Sequence, residues 1–426
     1  MSNTNIAYGS DQQVKIQSIG LFAAAMQRKT GLNRMAGKMS KQEDASGNIR
    51  MASTNKKPIV RVQELSRGAG DEVTFDLINP IKAVPIMGDA VAQGNGSAMS
   101  FDTDRLRINQ ARFPIDAGGA MSQQRTPHQL KTLAQAQALS AIERFSDQSC
   151  LTHLAGARGY HDNIEWCVPT PTDPRFASVM VNTVRAPTRN RHFISTGSGI
   201  EQVAASGNEI TIATTDVFNT DVVDGIATWL DGMTLPLQGV EFENDEQAAD
   251  DPLRVMLVSA EQYDSFVKST NFRTLQSNAI SRGQSAKNHP VFLGNALLWR
   301  NILILKQPRP IRFYAGNPIN WCASTTSTTE TSTDLCPAAF GTTYAVDRAI
   351  LLGGQALAEG FGKHRVSQGS YFTAEEITDF GNRCEYVAGE IGGRSKIRFL
   401  VDHGSEKQYT DYGVAVIDTA VRLAGV

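Results

Sequence analysis

The sequence predicts an α+β protein in which extended β segments and one long helix lie outside a compact α/β unit. Three observations indicate this class. Apolar and polar residues alternate on both sides of a glycine-rich stretch at 84–101, a helical pattern runs unbroken over 127–154, and an apolar run at 253–259 leads directly into a second helical pattern. Alternation at period two is typical of half-buried strands, and a short apolar run between turn residues is typical of a buried one. Strands and helices therefore fall in separate stretches of the chain.

The composition is that of an ordinary globular chain. It has 426 residues, 41% of them apolar and 20% charged, enough for about two or three domains. No apolar run reaches a membrane-spanning length of about 18 residues, and "MSNTNIAYGSDQQVK" lacks the pattern of a secretion signal. Five widely spread cysteines form no C-x-x-C pair, so we expect reduced thiols in a cytosolic setting. A bridge between Cys322 and Cys336 is the less favoured alternative.

The N-terminal segment 1–61 is predicted to be a basic arm. It contains ten Lys or Arg against three Asp or Glu, a local net charge of +7, which leaves −9 for the rest because the whole chain carries −2. Its polar, aromatic-poor composition favours an extended arm over a domain. A polyanion or an acidic neighbouring surface is the expected partner, with a solvated tail as the alternative. The lysines singled out for this contact are Lys38, Lys41, Lys56 and Lys57.

Residues 71–116 predict a long two-stranded hairpin. Its alternating apolar residues are Val73, Phe75 and Leu77 on one side and Leu106, Ile108 and Phe113 on the other. Such a ribbon alone in water is marginally stable, and its apolar face must be covered. Nothing nearby in sequence supplies a cover, so we expect a neighbouring subunit to do so. The tip residues expected at that contact are Gly88, Asp89, Gln93, Gly94, Asn95 and Gly96.

One long helix follows the hairpin. Thr126 is a suitable N-cap, Pro127 suits the first helical position, Gln129 completes a capping box, and Gly156 can end the helix in the left-handed conformation. The span from 127 to 154 corresponds to roughly 42 Å at about 1.5 Å per residue. Its apolar stripe is Leu130, Leu133, Ala134, Ala138, Ala141, Ile142, Phe145 and Leu151. The helix is therefore expected to be a strut with one face covered.

The second half of the chain predicts a compact α/β unit followed by more β structure. An amphipathic helix carrying Trp229 in its core face precedes an acidic loop at 241–251, and a buried strand at 253–259 leads into a helix capped by Ser259 and Gln262. The Ser/Thr-rich stretch 323–333 is expected to be a surface loop, and a strand is expected to turn over at 353–354. A capping box at Thr373 and Glu376 predicts one more helix, and strands close the chain.

No catalytic, cofactor or metal motif is complete. "LAEGFGKH" lacks the first glycine and the Ser or Thr of a phosphate-binding loop, and the three G-x-G stretches lack the third glycine of a dinucleotide fingerprint. There is no G-x-S-x-G and no H-E-x-x-H, and the seven histidines have no metal-ligand spacing. His161, Asp162 and Glu165 are an acid/base set only if a cleft encloses them, and a solvated turn is favoured. We therefore predict no enzyme, cofactor or metal site.

The order of parts resembles that of tailed-phage major capsid proteins of the HK97 type. Two stretches sharpen the resemblance: "HPVFLGNALLWRNILILKQPRPIRF", which looks like a strand-turn-strand of that family, and "VDRAILLGGQALAEGFGK", which is similar to a segment of podophage coat proteins. The resemblance implies that the hairpin is the extended loop, the long helix the spine of the peripheral domain, and the α/β unit the axial domain. The implied division is 1–61 arm, 62–125 extended loop, 126–214 spine helix and peripheral domain, 215–365 axial domain, and 366–426 a C-terminal return to the body.

The resemblance also implies a function. A protein of this type self-assembles into the hexamers and pentamers of an icosahedral phage head that encloses double-stranded DNA, which it contacts without sequence specificity. It resides in the virion capsid and is assembled in the host bacterial cytoplasm, with scaffolding, portal and decoration proteins as further partners. The alternatives are another virion structural protein, such as a decoration or tail component, and an enzyme whose site residues are dispersed.

Overall fold

The computed structural model describes most of the chain from residue 101 onward and shorter stretches before it. The described residues are 40–43, 49–52, 57–62, 71–78, 85–88, 91, 93–94, 96, 101–119, 130–204, 208–233, 237–240, 253–269, 272, 296–327, 331–364, 369–378, 380, 382–402 and 407–423. The elements before the central helix are β1 (Ser40–Glu43), β2 (Ile49–Ala52), β3 (Ile59–Val62), β4 (Glu72–Ile78), β5 (Phe101–Arg107) and β6 (Asn109–Gly119). Those up to the middle of the chain are α1 (Leu130–Ala155), α2 (Phe176–Met180), β7 (His192–Ser195), β8 (Ile200–Gln202), α3 (Thr220–Gly232), β9 (Arg254–Val258) and α4 (Ala260–Lys268).

The remaining elements are strands. They are β10 (Ala296–Trp299), β11 (Ile302–Lys306), β12 (Arg312–Phe313), β13 (Pro318–Trp321), β14 (Ser332–Leu335), β15 (Tyr344–Leu352), β16 (Leu357–Phe361), β17 (Tyr371–Thr378), β18 (Arg383–Lys396), β19 (Arg398–Asp402), β20 (Lys407–Asp411) and β21 (Val414–Arg422). The described chain is thus a mixed α/β protein with many strands and few helices.

An eight-stranded mixed sheet forms the larger body. Its strand order is β10-β11-β9-β15-β21-β7-β8, and β12 pairs with β15. The predicted strand β9 lies between β11 and β15, and its residues alternate between two cores, one with Met256 and Val258 and one with Val255 and Leu257. A strand buried on both faces is apolar along its length, which explains the continuous apolar pattern.

Two helices cover one face of this sheet. In α3, Asn219 caps the N-terminus by accepting from Val222 N, and the helix buries its apolar side, including Ile226 and Leu230. The capping box predicted at Ser259 and Gln262 is confirmed at the start of α4. Buried residues of both helices share one core with β9, β11 and β15.

A second sheet holds α1. Its order is β17-β18-β16-β3, and β6 pairs with β18 on the other side. The long strand β18 therefore joins strands that are far apart in the sequence, β6 on one side and β16 and β17 on the other. Ala134, Ala138 and Ile142 of α1 pack against Ala117 of β6 and Tyr386 of β18.

The long helix is confirmed over 130–155, and its predicted N-cap lies outside the described residues. It ends where expected, because Gly156 has φ +66° and a Cβ there would lie 2.6 Å from the carbonyl oxygen of Arg185. Leu133, assigned to the covered stripe, is instead 52% exposed. The stripe that packs is narrower than the sequence pattern indicated.

The predicted hairpin is correct for its first half only. Strands β4 and β5 pair antiparallel from Glu72–Arg107 to Ile78–Phe101. Strand β6, expected to continue the same arm, leaves it and pairs with β18 instead. The alternation of Phe113 and Ile115 thus belongs to a sheet whose other strand lies far along the sequence.

Other local predictions were wrong because distant pairing decides the structure. Thr373 and Glu376 do not begin a helix, because they lie in strand β17, paired with β18. Part of the Ser/Thr-rich loop is strand β14, paired with β13. The turn after β15 does not close a hairpin, since β15 and β16 belong to different sheets. Trp229 is 38% exposed and packs beside Phe193 rather than inside the core.

Candidate functional site

The tip of the hairpin presents apolar side chains to solvent. Met87 is 76% exposed and Val91 71% exposed. Three tip glycines, Gly88, Gly94 and Gly96, have nothing within 4 Å of an added Cβ. Large apolar side chains gathered on one exposed element mark contact surfaces in soluble proteins.

Four of the six tip residues predicted from the sequence lie within the described part of the chain. Gly88, Gln93, Gly94 and Gly96 lie in the exposed part of this tip, with Gly88 at φ +64° and Gly94 at φ +86°, a backbone conformation that glycine adopts without strain. Asp89 and Asn95 lie outside the described residues. Contact of the tip with another subunit stays a prediction.

The base of the hairpin is fixed to the body by a buried carboxylate. Asp104 accepts two hydrogen bonds from the guanidinium of Arg185, at 2.6 and 2.7 Å, and one from Arg398 N at 3.1 Å. Leu106 is fully buried and packs against Ile397 and neighbouring apolar residues. The hairpin therefore leaves the body from a rigid base.

The basic arm is described only near its end. Lys41 lies in β1, which pairs with β2, while Lys38 and Lys56 lie outside the described residues. Lys57 is half-buried, and its carbonyl accepts from Gln355 N at 2.8 Å.

After Lys57 the chain enters the second sheet, a feature that the sequence reasoning missed. Strand β3 pairs in parallel with β16, and Arg61 donates from Nε to Glu359 at 2.8 Å. The β-branched run "PIVRV" after Pro58 is the sequence signal that could have identified the strand. The arm is thus tied to the body at its C-terminal end.

A buried charge cluster joins this strand to the long helix. Arg394 of β18 donates to Glu359 at 3.0 Å, to Glu390 at 2.5 Å and to Ser146 Oγ of α1 at 2.8 Å. Arg61 binds the other oxygen of Glu359. Burial raises the pKa of Glu390, because the charged form loses its hydration. Removing the central arginine would take away the counter-charge that binds the buried Glu390, while Glu359 would keep its bond to Arg61.

A second buried cluster joins the end of α1 to the eight-stranded sheet. Arg348 of β15 binds both oxygens of Asp418 at 2.7 and 2.8 Å and donates to the carbonyl of Ala155. His192 approaches Asp418 at 2.6 Å. Burial alone would raise the pKa of Asp418, but Arg348 and His192 hold it well below its usual range. These contacts fix the two sheets to one helix.

The sequence model of a family described as phage capsid protein matches residues 5–423. The chain belongs to the phage capsid protein family. It is a major structural protein of a phage capsid.

Three solved phage capsids share the fold of this capsid protein. The capsid of Ralstonia phage GP4 is 24% identical, with a TM-score of 0.68 over 100% of both chains. The cyanophage Pam1 capsid is 13% identical, with a TM-score of 0.59 over 98% of this chain and 100% of that chain. The capsid of Helicobacter pylori bacteriophage KHP30 is 9% identical, with a TM-score of 0.57 over 98% of this chain and 99% of the other. No curated protein sequence matches the chain.

The acid/base set considered for an enzyme lies on a solvated turn of the capsid protein. Asp162 and Glu165 are exposed, while His161 approaches the hydroxyl of Tyr314 at 3.0 Å. Burial lowers the pKa of His161. Within the described residues, no group of three or more His, Cys, Asp or Glu could hold a metal ion.

Two further sequence expectations concern thiols and membranes. Cys322 and Cys336 are thiols that form no disulfide bridge with each other, and they donate to different backbone carbonyls, those of Ser324 and Phe313 among them. No helix in the described part of the chain is long and apolar enough to cross a membrane.

Proposed function

We propose that this chain self-assembles into the hexamers and pentamers of an icosahedral phage head that encloses double-stranded DNA. The observation that carries the proposal is the match of the capsid family model to residues 5–423, which spans both sheets, the hairpin and the long helix. A family match over a single element would not support assembly of the whole chain. Catalysis has no part in this function.

The proposed fold is the HK97 type. In this assignment β4 and β5 form the extended loop, and α1 is the spine of a peripheral domain made with β6, β17 and β18. The eight-stranded sheet with α3 and α4 is the axial domain. Support comes from α1, which packs along the second sheet and contributes Leu151 and Leu154 to the core beneath the first. The domain limits given in the sequence analysis remain part of the proposal.

The hairpin tip is the proposed contact with a neighbouring subunit, through Gly88, Asp89, Gln93, Gly94, Asn95 and Gly96. The tip exposes three apolar side chains, Ile86, Met87 and Val91. Removing their apolar surface from water is favourable, so covering them would stabilise a contact with another subunit. A tip on a rigid base reaches the same place in every copy. Repeated heterologous contacts of this kind close into rings or continue as a lattice.

The basic arm is proposed to line the inside of the shell or to clamp an adjacent subunit there. Its net charge of +7 favours phosphates, because binding them releases counterions without reading base sequence. The acidic stretch 241–251 of a neighbour is the alternative partner. Scaffolding, portal and decoration proteins complete the proposed partners, and the host cytoplasm is the proposed place of assembly.

Electron microscopy of the purified protein tests the proposal. Closed shells or capsomer rings are the expected result. A discrete monomer at every protein and salt concentration tried would contradict self-assembly. A decoration or tail component, the second candidate among virion proteins, would bind preformed particles or form tubes without closed shells.

The arm has its own test in protease digestion of intact, DNA-filled shells. An inward arm stays uncut while the particle is closed, and an arm removed from outside contradicts the assignment. Replacing Lys38, Lys41, Lys56 and Lys57 by Gln should lower the salt dependence of DNA binding by the free protein, since four phosphate-binding charges are lost.

A further inference from the structure

The turn that follows α1 exposes the side chain of an isoleucine to solvent. We call residues 161–166 the knob. Ile164 at its tip is 95% exposed, between the exposed residues Asn163 and Glu165. A single exposed apolar residue is unremarkable in most proteins. Here, however, buried polar side chains bind the backbone on both sides of the exposed residue.

Two buried polar side chains hold the knob. Gln148 of α1 is fully buried, donates from Nε2 to Glu165 O at 2.5 Å and accepts from Cys167 N and Val168 N at 2.6 and 3.1 Å. Arg158, also fully buried, donates to the carbonyls of His161 at 2.5 Å and of Val168 at 3.0 Å.

The Arg158 guanidinium also stacks on an aromatic ring of the knob itself. It lies 3.5 Å from the centroid of the Trp166 ring, within the range of a cation–π contact. Its other end binds Asp162 at 3.1 Å. Polar groups that are buried and hydrogen-bonded in this way fix the backbone they bind. The knob therefore keeps one conformation, and binding through Ile164 would cost little ordering entropy.

A cleft of the same chain has the complementary chemistry. It lies between strands β4 and β5 and the segment 181–186, has a volume of about 340 Å³, and includes Val181 and Val184 in its wall. Arg105 and Arg107 stand at its edge with 57% and 67% of their side chains exposed, and both bind Glu72. Among the described residues that line the cleft, Glu72 is the acidic one.

Arginines outnumber carboxylates among the described residues that line the cleft. The other two lining arginines are compensated below the surface, since Arg185 binds Asp104 and Arg398 binds Asp411. Arg107 binds Glu72 through Nε at 3.0 Å, and the two terminal nitrogens of a guanidinium can bind a further carboxylate. The knob offers an apolar tip with Glu165 next to it and Asp162 two residues before.

We propose that the knob of one copy docks into this cleft of a second copy, with Ile164 against Val181 and Val184 and with Glu165 facing the rim arginines. The two surfaces are different, so the contact is heterologous and repeats from copy to copy. Within one chain the knob does not occupy the cleft, because Ile164 is exposed. This inference rests on the proposed self-assembly and names one of its contacts.

Substitution at the tip tests the apolar part. Ile164→Ser should weaken each contact about tenfold, as loss of an apolar anchor does, and should raise the protein concentration at which shells appear by at least that factor. Ile164→Val keeps the apolar tip and should assemble like the unaltered protein. Equal assembly of the Ser and Val variants would overturn the proposal.

Charge reversal tests the pairing. Glu165→Arg and Arg107→Glu should each reduce assembly, and the double variant should recover most of it, which a merely structural role of either residue would not produce. Far-ultraviolet circular dichroism reports whether each single variant folds. Folded single variants that assemble normally, or a double variant with no recovery, would exclude this pairing.

Cross-linking keeps the test valid if a charge variant fails to fold. Ile164→Cys and Thr183→Cys proteins, mixed before assembly and oxidised with copper-phenanthroline, should give a disulfide-linked dimer that neither protein gives alone. If shells form and the mixture gives no such dimer, the inference fails while self-assembly stands. If the unaltered protein forms no assembly at all, the proposed function fails and this inference falls with it.

Discussion

Acid should destabilise the subunit through one histidine at the end of the long helix. His153 is fully buried on α1, and burial, together with the positive charges of Arg394, Lys396 and Arg185, lowers its pKa from 6.5 to about 3. The unfolded chain therefore takes up a proton near pH 6.5, and the folded chain does not until near pH 3. The stability contributed by the neutral imidazole is complete above the unfolded pKa and is lost as the pH falls.

The magnitude follows from the width of this window. Each pH unit below 6.5 removes about 1.4 kcal/mol, so the loss at about pH 4.5 is roughly 3 kcal/mol and approaches roughly 5 kcal/mol at about pH 3. His153→Met fills a similar volume and cannot titrate. The variant should lose about 3 kcal/mol less than the unaltered protein between about pH 7 and pH 4.5.

Urea unfolding of dissociated subunits at the two pH values measures the difference. Comparing the two proteins removes the contributions of the other buried groups, such as Glu390 and Asp347, whose pKa values are raised by burial and which act in the opposite direction. Identical acid dependence of the two proteins would refute the assignment of a buried, uncharged imidazole to this position.

Three further predictions concern the second sheet. Gly393→Ala should unfold the subunit or lower its melting temperature strongly, because a Cβ there would lie 1.9 Å from the carbonyl oxygen of Arg107, whereas Gly96→Ala, with open space around it, should leave the melting temperature almost unchanged. Ala138→Pro should cost about 3 kcal/mol or more in the middle of α1 and reduce soluble capsomers, and normal assembly would contradict the packing of that helix. Arg394→Met should cost about 3–5 kcal/mol in chemical denaturation, because it removes the arginine that binds the buried Glu390 and one of the two that bind Glu359; a loss below about 1 kcal/mol would show that water reaches these carboxylates.

Helix ends and caps that depend on neighbouring residues could be predicted from the sequence. Strands that form by pairing with distant parts of the chain could not. The helix ending at Gly156 and the capping box at Ser259 depend on residues within one turn, so their patterns sufficed. Thr373 and Glu376 carry a similar local pattern, yet pairing with β18 places them in a strand. Local propensity is a weak prior where tertiary contacts compete with it.

The candidate contact residues also divide into those that local sequence indicates and those that depend on distant residues. The glycine-rich tip was visible as a break between alternating segments. The tie between Arg61 and Glu359 joins residues 298 positions apart, and the support of Ile164 by Gln148 requires the turn to fold back on α1. Neither leaves a periodic signal in the sequence. The partial exposure of Trp229 could not be predicted either, because helical spacing places a residue on a face without saying how far the neighbouring sheet extends over it.

Self-assembly and the contact of the hairpin tip can be tested together by a cryo-electron microscopy reconstruction of particles assembled from the purified protein. We expect closed shells in which the hairpin tip of every subunit lies on another copy, with the side chains of Met87 and Val91 covered. Particles in which the tip stays in solvent or folds onto its own subunit, or a protein that forms no ordered particle, would contradict this expectation.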